Sequence, residues 1–149
     1  MTPDPATPAH RRGAVAVIMR DDRLLVIRRA AGVVAPGAYC FPGGGIEAGE
    51  SEQHALIREI EEELGVSVRP LRRVWQSVTA WQVELFWWLA ELPDDAQLVP
   101  NPAEVESIHW VPAAELSGWP GLLASNDDFL RSLASGEFTL ARRPDDSAG

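Results

Sequence analysis

One cysteine, Cys40, stands in a chain of 149 residues, so neither an internal disulfide nor a multi-cysteine zinc site can form. Lysine is absent, and thirteen arginines face 22 acidic residues for a formal charge of −9. A body of that sign repels a nucleic-acid backbone, which argues against general DNA or RNA binding. Acidic proteins that handle phosphates commonly do so through a bound cation. No apolar run is long enough to cross a bilayer, so no membrane partner is expected. Residues 1–10 contain three prolines and no hydrophobic signal core, and the expectation is a soluble, cytoplasmic protein. What is present is ordinary globular material: 46% hydrophobic and 23% charged residues, which excludes global disorder. A single domain of this length buries roughly 70% of its unfolded-chain surface and needs no covalent staple.

Residues 1–12 and 142–149, rich in Pro, Asp, Ser and Ala, read as flexible tails around one domain spanning 13–141. Apolar runs at 13–20 and 23–29, separated by Asp21 and Asp22, predict two buried strands in a hairpin. After a Gly- and Pro-punctuated loop comes a short extended piece at 38–41. Pro42, Gly43, Gly44 and Gly45 predict a tight turn rather than regular structure, because glycine loses the most backbone entropy on ordering. A helix follows over 51–64, capped by Ser51 and closed by Gly65 in a left-handed conformation. Strands are expected at 71–79, 81–91 and 108–111, a small helix from Pro112 to Leu116, and a last helix from about Asn126 to Leu133. The mixed order of strands and helices predicts an α/β fold with a sheet covered on both faces.

The acidic helix carries the chemistry. Advancing about 100° per residue from Leu56 puts Leu56, Ile57, Ile60 and Leu64 within an arc of about 100°. Glu59, Glu62 and Glu63 then fall together between about 240° and 340°, with Glu61 and Arg58 outside that arc. From Glu47 to Glu63 there are seven acidic residues and one arginine. Carboxylates three and four apart repel, and a hard divalent cation would remove that penalty. All-oxygen ligation selects magnesium, or manganese in its place, over zinc. A solvated acidic face is the alternative for such a helix taken alone. The preceding glycines leave a backbone carbonyl exposed as a further neutral ligand.

The spacing then decides: Gly44, five residues, Glu50, seven residues, then Arg58, Glu59, Ile60, Glu61, Glu62, Glu63, Leu64, Gly65 and Val66. This segment resembles the full Nudix box, Gly-x5-Glu-x7-Arg-Glu-(aliphatic)-x-Glu-Glu-x-Gly-(aliphatic). Chance agreement at average residue usage is on the order of 10⁻⁹. The resemblance implies an α/β/α sandwich with a mixed sheet, and magnesium-dependent hydrolysis of a nucleoside diphosphate linked to another moiety. It implies that Glu59, Glu62 and Glu63 hold divalent ions, with the Gly44 carbonyl and Glu104 as further ligands and Glu106 as the rival loop glutamate. Glu59 is also the candidate for orienting or deprotonating the attacking water. Glu50 and Arg58 are expected to brace the box through an ion pair.

Flanking segments are similar to the MutT-type triphosphate hydrolases. Arg29, or Arg28 if the register shifts, matches the arginine sent to the substrate phosphates. Residues 83–90 are similar to that group's aromatic cleft strand, and Asn126 falls where it carries a base-recognising asparagine. Of Trp75, Trp81, Trp87 and Trp88, most are expected in the core, with room for one to stack on a base. Trp87 and Trp88 must face opposite sides of their strand. His54 and His109 lack partners at ligand spacing, and Cys40 reads as a packed small residue.

The markers of other Nudix groups are missing. Trp81 stands where ADP-ribose hydrolases carry a proline, and Gln82, Val83 and Glu84 occupy the range where dinucleoside polyphosphate hydrolases carry a tyrosine. Leu24, Leu25, Val26, Ile27 and Arg28 depart from the coenzyme A motif at its threonine. The expected substrate is therefore a small nucleotide, a nucleoside triphosphate such as oxidised dGTP, cleaved to the monophosphate and pyrophosphate. ADP-ribose, nucleotide-sugar or dinucleoside polyphosphate hydrolysis is the alternative, as is a non-catalytic nucleotide-binding module. Exposed Trp surface is compatible with a homodimer.

Overall fold

Period-two alternation along the strands divides the interior into two layers, one on each face of a single mixed sheet. The computed structural model describes residues 11–147; the expected tail at 1–10 and the last two residues lie outside that range. Strands β1 (Arg11–Arg20) and β2 (Arg23–Arg29) are joined at Asp21 and Asp22. Both turn residues have positive φ, 52° and 61°, as a two-residue hairpin turn of the right twist requires. The strands stay paired only at Met19–Leu24 and Arg20–Arg23. They then splay, which the apolar runs alone did not foretell.

β1 goes on to pair in parallel with β6 (Val83–Glu91), from Arg11–Val83 to Ile18–Ala90, and β6 pairs antiparallel with β5 (Arg69–Val78). β2 pairs antiparallel with β3 (Tyr39–Cys40) and β7 (Val105–Pro112). The helices are α1 (Glu52–Leu64), the short α2 (Ala113–Leu116) and α3 (Ala124–Ala134). Ala14, Ala16 and Ile18 of β1 join Leu25 and Ile27 of β2 beneath Leu56, Ile60 and Leu64 of α1. Val17, Leu24, Val26 and Trp87 face the other way, against Leu116, Phe129 and Leu130. The result is the α/β/α sandwich with a mixed sheet. Trp87 is fully buried there, stacked on Phe129 with ring centroids 4.8 Å apart.

Three elements depart from expectation. Arg11 and Arg12, expected in the N-terminal tail, belong to β1. Residues 43–45, expected as an irregular turn, form strand β4 (Gly43–Gly45), antiparallel to β1 at Gly13–Gly45, Ala14–Gly44 and Val15–Gly43. Tertiary pairing overrides the entropy cost, and glycine is needed at 43 and 44 because nothing larger fits there. Toward the C-terminus, residues 144–147 form a 3-10 turn. Buried Asp146 there accepts from Arg72 at 2.9 Å, and Arg72 also donates to the Thr139 and Ala141 carbonyls. The segment expected as a loose tail is thus tied to β5 as far as residue 147.

The tight packing of β4 has a measurable consequence. Gly43 has φ +152°, and a Cβ there would land on the Ala14 carbonyl oxygen. Gly43→Ala should lower unfolding stability by about 2–4 kcal/mol in urea titrations. Gly45→Ala, with open space around its Cβ position, is the matched control and should change it by less than about 1 kcal/mol.

Candidate active site

Helix α1 starts where Ser51 Oγ accepts from the His54 N–H at 3.0 Å, and ends at Gly65 with φ 64°. Between these caps the apolar stripe is buried as its period requires, and Glu63 is buried with it. Glu59 meets β4 directly: a Cβ on Gly44 would overlap the Glu59 carboxylate. Glu63 Oε1 accepts the Gly43 N–H at 2.8 Å. The glycine strand therefore lies against two box glutamates at van der Waals and hydrogen-bond range.

Arg58 lies outside the acidic arc by helical angle, yet its long side chain reaches back into it. Nε and Nη2 grip both oxygens of Glu50, at 2.8 and 2.9 Å, and Nη2 also donates to the Gly45 carbonyl at 2.9 Å. Nη1 donates to Glu59 at 3.0 Å and to Glu62 at 3.4 Å. This fork holds the Glu50 carboxyl down at about 2, helped by the Glu47 N–H, and raises the Arg58 guanidinium further. One guanidinium thus braces the loop before the helix and two of its glutamates.

The loop glutamates separate cleanly. Glu106 is exposed and faces Arg28, 3.2 Å away. Glu104 sits close enough to Glu59 and Glu63 to raise both carboxyls by repulsion. Its Oε2 is buried without a hydrogen-bond partner among the described residues. The backbone that places it is pinned on both sides. Ala30 donates to the Glu104 carbonyl, and Asn101 joins the loop to the end of α1, its N–H to the Glu63 carbonyl at 2.8 Å and its Nδ2 to that of Glu62 at 3.2 Å. The sequence reading missed Asn101, whose only mark was its place beside Pro102 in a loop.

Arg28 and Arg29 part in the same way, because successive residues of β2 face opposite sides, and the register shift beside them leaves Glu106 of β7 as the extra residue. Arg28 donates to the Gly37 carbonyl and lies over the Tyr39 ring. Arg29 turns to the α1 side, where Nη1 is 3.8 Å from Cys40 Sγ and its charge favours the ionised Glu63. Burial pushes the Cys40 thiol up to about 11, so it is protonated at neutral pH. Asn126 is buried on α3, its Oδ1 accepting the Phe41 N–H at 2.8 Å and its Nδ2 donating to Ser125 Oγ at 3.1 Å.

Arg29, Phe41, β4 and Asn126 line a cleft of about 750 Å³, together with Val83 and Leu85 of β6. The apolar wall is thus Val83 and Leu85 rather than the tryptophans of that strand. Trp87 is core, and Trp88 faces α1, donating to Glu52 at 2.8 Å.

The oxygen-only donors around Glu59 suit a hard cation, and the orphaned Glu104 oxygen is the kind of group a cation satisfies. Among the described residues, however, no three Asp, Glu, His or Cys side chains are gathered closely enough to share one ion. Mutual repulsion and the hold of Arg58 on Glu59 and Glu62 account for that spacing. Burial, reinforced by Glu59 and Glu104, pushes Glu63 up to about 8 from 4.5, and burial also raises Glu59. Between those pH values the folded protein keeps a proton on Glu63 that the unfolded chain has released, so stability declines as pH rises through that window. Urea melts in the presence of a chelator should show this decline. Glu63→Gln keeps the acceptor for Gly43 and should flatten it; an unchanged slope would assign the effect elsewhere.

Comparison with known proteins agrees with this architecture. Residues 9–133 match the NUDIX domain family. The chain is 34% identical over 119 residues to the putative 8-oxo-dGTP diphosphatase 2 of Mycobacterium tuberculosis, covering 72% of this chain and 83% of that protein. It is 28% identical over 106 residues to the NAD-capped RNA hydrolase NudC of Stutzerimonas stutzeri, covering 71% of this chain but only 38% of that longer protein. A crystal structure of a MutT NUDIX hydrolase from Burkholderia pseudomallei superposes with a TM-score of 0.62 at 27% identity, covering 81% of this chain and 95% of that one. No helix among the described residues is long and apolar enough to cross a membrane. With the box glutamates, the glycine strand and the sandwich in place, the chain belongs to the Nudix hydrolase family.

Proposed function

We propose that this protein is a divalent-cation-dependent pyrophosphohydrolase of nucleoside triphosphates, releasing a nucleoside monophosphate and pyrophosphate. The observation that carries the proposal is the buried Glu104 oxygen, without a hydrogen-bond partner among the described residues, close to Glu63 and to Glu59, which itself packs on Gly44 of the cleft wall. Buried carboxylates without a counter-charge are costly, and a magnesium or manganese ion removes the cost. Glu59, Glu62, Glu63 and Glu104, with the Gly44 carbonyl, are the residues that would hold it. Bound there, the ion would neutralise phosphate charge and lower the pKa of water.

The remaining work falls to the chain itself. Glu59, lodged against Gly44, takes the proton of the attacking water. Arg29, which lines the cleft, holds phosphate oxygens with its guanidinium. Arg58 keeps Glu50 and the helix start in register and stays clear of substrate. The nucleoside lies along Val83, Leu85 and Phe41, with the Asn126 amide at its edge. An oxidised purine nucleotide is the favoured substrate, supported by the named activity of the mycobacterial relative.

The test is a magnesium-supplemented panel of nucleoside triphosphates, oxidised dGTP, ADP-ribose, NAD, dinucleoside polyphosphates and nucleotide sugars, with pyrophosphate and phosphate assayed separately. Pyrophosphate release from a triphosphate, abolished by chelator, is the expected result. Glu62→Gln and Glu63→Gln should each lower kcat by at least about 100-fold with the fold retained, and Glu104→Gln by about 10–100-fold. Turnover confined to ADP-linked compounds would replace the substrate and keep the hydrolase. Tight nucleotide binding without any turnover would make the protein a binding module.

A further inference from the structure

Of the tryptophans on β5, β6 and the turn between them, three are spent on packing. Trp75 and Trp87 lie in the aromatic cluster around Phe129, and Trp88 packs toward α1. Trp81 is different, at 79% exposed. Tryptophan is highly buried on average, so an indole left in water invites a question about what covers it. Its position answers part of that question. Trp81 lies in the turn that leads into Val83, and Val83 is part of the cleft wall. Arg11, which also lines the cleft, pairs with Val83 across β1 and β6.

The turn itself is built to hold a side chain up. Thr79 Oγ1 accepts from both the Trp81 and Val83 N–H groups at 3.2 Å, and the Thr79 carbonyl accepts from Gln82 at 2.9 Å. Gln82 completes the reversal with φ 62°. The backbone is thereby fixed while the indole keeps its side-chain rotations, which interconvert between staggered wells. An aromatic plate on a pinned turn, two residues before Val83 of the apolar wall and its strand partner Arg11, is what a flat heteroaromatic ring needs on its outer face.

We infer that Trp81 is a substrate-binding residue, closing over the cleft to stack on the base of the nucleotide held against Val83 and Leu85. The inference rests on the nucleotide reading of the cleft, and adds to it where base selectivity comes from. Stacking tolerates any base but favours the larger purine surface. The residue therefore acts on base-containing substrates and leaves the phosphate end untouched.

Steady-state kinetics with purine and pyrimidine triphosphates distinguish this role from a structural one. Trp81→Ala should raise KM about tenfold for a purine triphosphate, with kcat within about twofold. Trp81→Phe, which keeps a stacking ring, should restore most of the affinity. Inhibition by inorganic tripolyphosphate, which has no base, should be the same in wild type and Trp81→Ala. Tryptophan fluorescence gives a readout independent of turnover. Guanosine monophosphate should quench wild type more than Trp81→Phe, whether or not any triphosphate is hydrolysed, so a failed hydrolysis assay does not decide this point. Equal KM in wild type and Trp81→Ala together with equal quenching would overturn the assignment. So would a Trp81→Ala variant that loses a dimer in sedimentation while its KM is unchanged, since the indole would then cover a second copy of the chain.

Discussion

The site depends on how closely residues 43–45 approach two neighbours at once. One neighbour is the backbone of β1, where the Ala14 carbonyl leaves no room for a Cβ on Gly43. The other is the flank of α1, where the Glu59 carboxylate leaves none on Gly44 and Glu63 takes the Gly43 N–H. A strand without side chains lets a helix bring carboxylates to a backbone that also floors the cleft. A side chain on Gly44 would push the helix off the sheet, and the acidic flank with it.

Charge distribution follows from that geometry. Glutamates pressed against a strand lose water, and their carboxyls rise accordingly. Among the described residues, Arg58 supplies the one guanidinium in direct contact with Glu59, and it divides its donors among Glu50, Glu59, Glu62 and the Gly45 carbonyl. Glu63 and Glu104 receive no such fork. The carboxyl groups without a counter-charge are therefore gathered around Glu63, which burial leaves protonated at neutral pH, rather than spread over the helix face.

Much of this was legible in residue order. The 3.6-residue period placed the apolar stripe of α1, Ser51 and Gly65 marked its ends, and the spacing from Gly44 to Val66 pointed to the family. These are local properties, set within a few turns of chain. The pairing of β1 with β6 was not legible, because parallel partners lie far apart in sequence and an apolar run does not name its neighbour. The strand at 43–45 was not legible either, since local entropy argues against it and only contact with β1 compensates.

The same division runs through individual side chains. Sequence alone determined which residue types were available: three box glutamates, two adjacent arginines at the end of β2, two glutamates flanking the start of β7, four tryptophans between residues 75 and 88. Tertiary structure decided among them. The pairing of β2 with β7 set Arg28 beside Glu106 and left Arg29 on the Glu63 side. The bonds of Asn101 to the end of α1 held the loop so that Glu104 faces the helix. The layering of the sheet buried Trp87, half-buried Trp75, and left Trp81 exposed in the turn before Val83. Periodicity fixes the face a residue takes on its own element, whereas the neighbour that face meets depends on how distant elements pack.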